Sequence, residues 1–199
     1  EIAQCLVGSE MCIRDRPDKP RGRSKSLVFS PVKEEAVAHG ITVLQPERAR
    51  DEAFVEELRT YNADVIVVVA FGQLLPASII NMPRYGCINV HASLLPKYRG
   101  ASPIQWAVID GCEYSGVTTM KMDEGLDTGD ILMVEKVKLD AKETGGSLFD
   151  RLSDVGAHLL VKTLEGLEAG TITPVKQDDS ESTYVKMLHK SFGKMDFNK

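Results

Sequence analysis

The sequence predicts an α/β domain built around an open, mostly parallel β-sheet. Segments with helical and strand patterns alternate along the chain, and this alternation is typical of such sheets. The segment DVIVVVA at 64–70 is a continuous apolar run rich in β-branched residues, as in a strand buried on both faces of a parallel sheet. The length of 199 residues suits one ordinary domain. Sheets of this class bind ligands at the carboxyl ends of their strands.

Two predicted helices precede this central strand. The first covers 31–39, because Pro31 stands in its first turn and Gly40 follows its last residue. The second covers 51–62, because apolar side chains recur there at helical intervals and acidic residues occupy the first turn. Between the two helices, 41–45 is predicted to be a short strand.

The alternation continues after the central strand. The further predicted elements are a short helix at 77–82, a strand at 87–91, a helix at 102–111, strands at 116–122 and 131–139, and a long helix at 146–170. The helix at 102–111 begins with a Ser cap and ends at Gly111. The two later strands could pair around the loop between them. The long helix is amphipathic, with an apolar stripe at Leu148, Leu152, Val155 and Leu159.

The composition is that of a globular protein, with 43% apolar and 27% charged residues. A net charge of −5 gives no general indication of nucleic-acid binding. No apolar run approaches the ~20 residues that a membrane-spanning helix needs. The four cysteines form neither a CxxC pair nor a metal-binding spacing, which favours reduced thiols in the cytosol.

The two ends of the chain do not have the features of a complete protein. The chain begins with Glu1 rather than Met, and 1–16 (EIAQCLVGSEMCIRDR) has no clear helical or strand period and no secretory signal pattern. Residues 189–199 are polar and stop without a cap or turn. We therefore expect a fragment, in which a sequencing or assembly artefact at 1–16 is joined to a truncated reading frame.

Asn89 and His91 stand two residues apart at the predicted carboxyl end of the strand at 87–91. Side chains two apart on a strand point to the same face. The Asn amide is a donor suited to an oxyanion, and His can take and return a proton near neutral pH. The alternative is structural: a hydrogen-bonded His at a strand end, with Asn beginning a turn.

The loop MDEGLDTGD at 122–130 carries four acidic residues and two glycines. It is either a solvated turn between strands or a functional loop, and it lacks the spacing of an EF-hand calcium site. An Asp in such a loop could reach a His on a neighbouring strand and orient it or raise its pKa.

The segment at 17–33 is basic within an acidic chain. Its five basic residues stand against one acid, Asp18, and its Pro and Gly residues keep most of it out of regular structure. The basic residues are Lys19, Arg21, Arg23, Lys25 and Lys33. Such a local patch suits contact with phosphates, and a solvated basic loop is the alternative.

The block INVHASLLPKYRGASPIQWAVIDG at 88–111, followed by GVTTMKMDEGLDTGDIL at 116–132, resembles the catalytic domain of the methionyl-tRNA formyltransferases. The resemblance implies a Rossmann-like open, mostly parallel sheet with helices on both faces (the formyltransferase fold). The first strand and helix of that fold are not visible in the sequence. The implied boundaries are a partial catalytic domain at 17–180 and, at 181–199, the start of a linker to a further domain.

The same resemblance implies transfer of a formyl group from 10-formyltetrahydrofolate to the α-amine of initiator methionyl-tRNA, without a metal. It implies Asn89, His91 and Asp127 as catalytic residues. For the folate it implies Ser93, Leu94, Leu95 and Pro96, with walls that include Phe71 and Gly72. For the tRNA it implies Arg21, Arg23 and Lys25.

Two alternatives to this function stay open. A related formyltransferase that acts on a small amine, glycinamide ribonucleotide or an amino sugar, would share Asn89, His91 and Asp127, although the basic segment at 17–33 argues against it. The chain could instead be an inactive folate-binding remnant. We expect a monomer in the bacterial cytoplasm that binds tRNA and folate but no membrane, with an organellar homologue as the alternative source.

Overall fold

A computed structural model describes residues 2–7, 10–20 and 27–193 of the chain. The chain divides into two compact units. Unit 1 contains the described residues up to His91 together with Met120–Gly125, and unit 2 contains Ala92–Thr119 and the described residues from Leu126 onward. Within the described ranges, no helix is long and apolar enough to cross a bilayer.

Unit 1 is a sheet with helical connections, as predicted. Its elements are β1 (Ile2–Val7), β2 (Glu10–Asp15), β3 (Lys19–Pro20), β4 (Leu27–Val28), α1 (Pro31–Ala38), β5 (Thr42–Leu44), α2 (Glu52–Thr60), β6 (Val65–Val69), α3 (Ala77–Ile80) and β7 (Cys87–His91). Its main sheet has the order β7-β6-β1-β2-β5. The pairs β6–β7 and β2–β5 are parallel, whereas β1 runs antiparallel to both of its neighbours. Strands β3 and β4 form a separate antiparallel pair.

The structure differs from the sequence expectation at 1–16, where no strand period was found. Strands β1 and β2 occupy 2–7 and 10–15. In β2 the consecutive residues Cys12, Ile13, Arg14 and Asp15 are all buried. A strand covered on both faces shows no alternation of apolar and polar residues, so a search for period two cannot detect it.

Burial on both faces also characterises the predicted central strand. In β6, Val65, Ile66, Val67 and Val68 are each at most 8% exposed. Helix α2 packs its apolar face, which includes Phe54 and Leu58, into the same core cluster. The predicted helix at 31–39 is confirmed as α1: Ser30 Oγ accepts a hydrogen bond from Lys33 N, and Gly40 follows the helix at φ +68°.

Unit 2 contains the later elements of the prediction. They are β8 (Arg99–Gly100), α4 (Pro103–Ile109), β9 (Tyr114–Lys121, of which the last two residues belong to unit 1), β10 (Asp130–Lys138), α5 (Gly145–Glu168) and β11 (Tyr184–Val185). Strands β9 and β10 are hydrogen-bonded neighbours, as expected for the two strands around the acidic loop. The short strands β8 and β11 pair in parallel.

The predicted Ser cap of α4 is wrong in detail. Ser102 stands immediately before the helix, but its side chain makes no capping hydrogen bond. Its backbone is left-handed, at φ 62° and ψ 36°, whereas a capping Ser needs an extended backbone to reach the first N–H groups. The other end follows the prediction, because Gly111 comes after the helix at φ +63°.

Helix α5 forms the long amphipathic element that was predicted. Thr144 and Ser147 cap its first turn reciprocally. Leu148, Leu152 and Leu159 of the predicted stripe are buried, and Val155 is half-buried. Further along this face, Thr163 Oγ1 lies 2.9 Å from Thr119 Oγ1 of β9.

Replacing a residue of this stripe tests how much the stripe contributes to the stability of the fold. We expect Leu152→Ala to lower the free energy of unfolding by about 2–5 kcal/mol, because the side chain is 3% exposed and its loss leaves a cavity. Val161→Ala is the matched control: Val161 is 55% exposed, so a change within about 0.5 kcal/mol is expected. Urea unfolding followed by circular dichroism measures both variants, and equal losses would contradict the assigned buried face.

Candidate active site

Asn89 and His91 lie at the carboxyl end of β7 in unit 1, where the sequence analysis placed them. The parallel pairing with β6 sets Val68 opposite Asn89. Asn89 is half-buried and His91 is 7% exposed. Because alternate residues of a strand share a face, the amide and the imidazole are presented on the same side of the sheet.

The turn after β6 leaves the sheet at the same edge as the end of β7, because the two strands are parallel. Ala70 and Gly72 both have positive φ, +47° and +67°. Between them, Phe71 turns into the core of unit 1, where the guanidinium of Arg14 lies 4.4 Å from the centroid of its ring. Gly72 is exposed. Of the two predicted folate-wall residues, Phe71 supports the turn from inside and Gly72 lies at the surface.

The SLLP loop is held inside unit 2 by a residue that the sequence analysis did not single out. Thr118 Oγ1 donates to Ser93 O at 2.7 Å and accepts from Leu95 N at 3.2 Å. Ser93 Oγ donates in turn to Lys97 O at 2.7 Å. Thr118 is fully buried in β9. A Thr within an apolar strand carries no recognisable motif, so only the folded loop reveals its role.

The two outer residues of this loop are less enclosed. Leu94 and Pro96 are half-buried, while Leu95 is buried. Leu94 packs tightly over Gly116 of β9, since a Cβ at Gly116 would lie 2.6 Å from Leu94 Cδ2 and 2.2 Å from Glu135 O. A larger residue at this glycine would push the loop away from β9.

Asp127, in unit 2, is half-buried and has a left-handed backbone with φ +55°. Its carboxylate Oδ2 accepts a hydrogen bond from Gly100 N at 2.8 Å. Its carbonyl accepts from Gln177 Nε2 at 3.0 Å, and the same nitrogen donates to Gly129 O at 2.7 Å. The acidic loop is therefore specifically held around Asp127.

Arg99 is the largest fully buried side chain of the described residues. Its Nε and Nη2 donate to Gln177 Oε1 at 3.1 and 2.9 Å, and Nη2 also donates to Asp179 Oδ1 at 2.8 Å. Nη1 donates to the hydroxyl of Tyr184 at 3.0 Å. Burial opposes the charged form, but the hydrogen bonds with Tyr184 and Asp179 more than offset it and raise the pKa of Arg99. The sequence motifs give Arg99 no role, and nothing in the sequence signals Gln177.

The basic segment falls only partly within the described ranges. Arg21, Arg23 and Lys25, the predicted tRNA contacts, lie outside the described residues. Lys33 makes an ion pair with Asp18 at 2.5 Å and donates to Gln45 Oε1 at 2.7 Å. The hydrogen bonds with Lys33 and Gln45 lower the pKa of Asp18.

The predicted catalytic residues are divided between the two units. Asn89 and His91 belong to unit 1, and Asp127 belongs to unit 2 together with Ser93, Leu94, Leu95 and Pro96. Unit 1 therefore carries the predicted amide donor and the predicted proton carrier. Unit 2 carries the predicted carboxylate and the predicted folate loop. The convergence of the three catalytic residues stays a prediction.

Comparison with known proteins identifies the family. The family model described as "Formyl transferase" matches residues 5–164, which begins inside the range 1–16 that the motifs left outside the domain. The methionyl-tRNA formyltransferase of Lachnospira eligens is 99% identical over 184 residues, covering 92% of this chain and 58% of the relative. The enzyme of the same name from Agathobacter rectalis is 58% identical over 184 residues and is covered to 59%. The chain thus spans just under three-fifths of the length of these relatives.

Solved structures agree with this assignment. Phosphoribosylglycinamide formyltransferase from Bacillus halodurans has a TM-score of 0.64 at 27% identity, over 70% of this chain and 76% of that one. The formyltransferase PseJ from Anoxybacillus kamchatkensis was solved in complex with UDP-4,6-dideoxy-4-formamido-L-AltNAc and tetrahydrofolate. It has a TM-score of 0.62 at 23% identity, over 77% of this chain and 79% of that one, and this likeness concerns the fold alone. The Rossmann-like α/β fold predicted from the sequence is confirmed, and the chain belongs to the formyl transferase family.

Proposed function

We propose that this chain is the catalytic part of an enzyme that formylates initiator methionyl-tRNA with 10-formyltetrahydrofolate. The observation that carries the proposal is the Asn89–His91 pair at the carboxyl end of the buried strand β7. Near identity with a protein named methionyl-tRNA formyltransferase supports the choice of substrate. Reduced cysteines suit a cytoplasmic enzyme, and we propose that it acts there as a monomer.

In the proposed reaction the formyl carbon is the electrophile, and side chains rather than a metal activate it. The α-amine of the methionyl group attacks the formyl carbon, and a tetrahedral intermediate with a negative oxygen forms. The side-chain amide of Asn89 donates a hydrogen bond to this oxygen. The intermediate collapses when the bond from the formyl carbon to the folate nitrogen breaks.

One proton must move from the attacking amine to the departing folate nitrogen. His91 lies two residues from Asn89 on the same strand face, so it can accept the amine proton and deliver it to the leaving group. When protonated it also stabilises the negative oxygen. Asp127 holds the His91 ring and orders a water, and Gly100 N fixes one oxygen of its carboxylate.

The folate is proposed to bind along the SLLP loop. Thr118 fixes the backbone of this loop, and the half-buried Leu94 and Pro96 offer apolar surface to a flat ring. The turn at Gly72 forms a second wall, supported from the core by Phe71. The tetrahydrofolate in the PseJ structure supports this choice of co-substrate.

A small amine is the second candidate acceptor. The likeness to phosphoribosylglycinamide formyltransferase favours it, since that enzyme has the same fold. The basic segment at 17–33 favours tRNA, because a small amine does not need three cations so close together in the sequence. We propose that Arg21, Arg23 and Lys25 bind the phosphates of the tRNA acceptor end.

Substitution of His91 tests the proton-transfer role. In a full-length protein that carries these residues and the further segments of its relatives, we expect His91→Ala to lower the rate of formyl transfer by roughly 10²–10⁴-fold. His158→Ala is the matched control, because His158 is exposed on α5 and its ring contacts the carbonyl of Asp154 in its own helix. Single-turnover assays measure both, and near-normal turnover in folded His91→Ala would return His91 to a structural role.

An experimental structure with folate bound tests the geometry. We expect the Asp127 carboxylate to lie within hydrogen-bond reach of the His91 ring, directly at ~3 Å or through one water. Crystals of the full-length protein with a folate analogue would measure this distance. A position of Asp127 at the opposite edge of the sheet from His91 would reject the triad.

A salt series tests the binding of tRNA by the basic segment. Neutralising Arg21, Arg23 and Lys25 together should weaken methionyl-tRNA binding and reduce the log–log salt slope by roughly 0.7–0.9 for each phosphate that is no longer neutralised, because fewer counterions are released. Folate affinity should not change. The control neutralises three exposed lysines of unit 2, Lys142, Lys162 and Lys176, for the same change in net charge. An unchanged slope in the first variant would favour the small-amine acceptor.

A further inference from the structure

We propose that Gln177, held by the buried Arg99, is a positioning residue that fixes Asp127 for catalysis. The inference rests on the proposed function, in which Asp127 holds the catalytic His91. It concerns residues of unit 2 only, and its basis is an unbroken chain of hydrogen bonds from Arg99 through Gln177 to the acidic loop.

The series of hydrogen bonds begins at the guanidinium of Arg99, a charge that is costly to bury. Arg99 is 1% exposed, so its guanidinium needs hydrogen-bond partners in place of water. Asp179, its anionic partner, has a side chain that is 76% exposed. Gln177 is 5% exposed and receives two of the guanidinium hydrogen bonds on Oε1. The amide of Gln177 is therefore the buried partner that fixes the position of the guanidinium.

Arg99 also determines which way the amide of Gln177 points. A guanidinium has only donors, so the amide oxygen must face it and the amide nitrogen must face away. That nitrogen donates to the carbonyls of Asp127 and Gly129, which flank Thr128. Reversing the amide would place its N–H groups against the donors of Arg99 and its oxygen against the two loop carbonyls. The charge on Arg99 thus orients a double donor toward the loop.

Asp127 needs such a restraint. Its left-handed φ of +55° is sparsely populated by residues other than Gly, although Asp tolerates it better than most. The neighbouring residues 99 and 100 hold it from two sides: Arg99 fixes the loop backbone through Gln177, and Gly100 N holds the carboxylate. Gly100 has φ +98°, and a Cβ there would lie 2.6 Å from Val185 O, so its N–H is held in place by the packing of β8 on β11.

The side-chain amide of Gln177 is not needed to attach the segment 171–185 to the rest of unit 2. Backbone hydrogen bonds already tie it to unit 2, from Arg99 N to Thr183 O at 2.8 Å and from Ala101 N to Val185 O at 3.0 Å. A bridge between Ile131 and Val175 adds a further tie. What the Gln177 side chain adds is the restraint on the two loop carbonyls.

The variant Gln177→Glu separates these two effects in the full-length protein. It keeps an oxygen for Arg99 but removes both N–H donors to the loop. We expect kcat for formyl transfer to fall roughly 10- to 100-fold, while KM for folate and for methionyl-tRNA changes less than about 3-fold. Gln177→Met, of similar length and without either polar group, should give the same loss of kcat per folded molecule as measured by circular dichroism. The control is Asp179→Asn, which changes the exposed partner of Arg99 and leaves Gln177 in place, and its kcat should stay within about 2-fold.

A double variant shows whether Gln177 acts through Asp127. In an Asp127→Asn background, Gln177→Glu should lower kcat no further, because residues that act as one unit are not additive. Independent, multiplying losses would overturn the inference. So would wild-type kcat in folded Gln177→Glu while Asp127→Asn is inactive. Full activity of Asp127→Asn would reject the catalytic role of Asp127 itself, a result distinct from failure of Gln177 alone.

Discussion

The parallel pairing of two buried strands, β6 and β7, is the constraint on which the candidate site depends. Val67 of β6 and Cys87 and Ile88 of β7 are fully buried, so the pairing of the two strands keeps these residues out of water. That register places Asn89 opposite Val68 and brings His91 to the end of β7, where the chain leaves the sheet. A shift of β7 by one residue would turn both polar side chains to the other face of the sheet. The placement of the two proposed catalytic residues thus follows from a packing requirement.

In unit 2 the comparable constraint is a buried charge, which polar rather than apolar contacts stabilise. A buried guanidinium is unfavourable unless its donors are satisfied, and Arg99 satisfies them with Gln177, Asp179 and Tyr184. These partners come from a segment some eighty positions further along the chain. Closing such a long loop costs entropy, which the buried hydrogen bonds and the β8–β11 pair help to offset. The acidic loop then takes its shape from the same group of contacts.

Small residues and hydroxyls set the geometry of the SLLP loop. Gly116 lets the Leu94 side chain approach the backbone of β9 closely, and Thr118 both donates to and accepts from the loop. Neither residue is one of the three predicted catalytic residues. Both belong to strand β9, so the loop is supported by a sheet element rather than by its own turn chemistry. Sites supported in this way keep their geometry better than sites formed by loops alone.

Local patterns in the sequence predict the α/β class, the buried strand at 64–70, helices α1, α2 and α5, and the placement of Asn89 and His91 on one strand face. These follow from local periodicity, from caps and from the two-residue repeat of a strand. The folded chain was needed to show that 2–7 and 10–15 are strands, that Phe71 packs inward, and that Arg99, Thr118 and Gln177 hold the loops. Burial on both faces removes the alternation that would have revealed β2, and a hydrogen bond between residues 99 and 177 leaves no trace in the local pattern, because it depends on where the folded chain brings distant groups together.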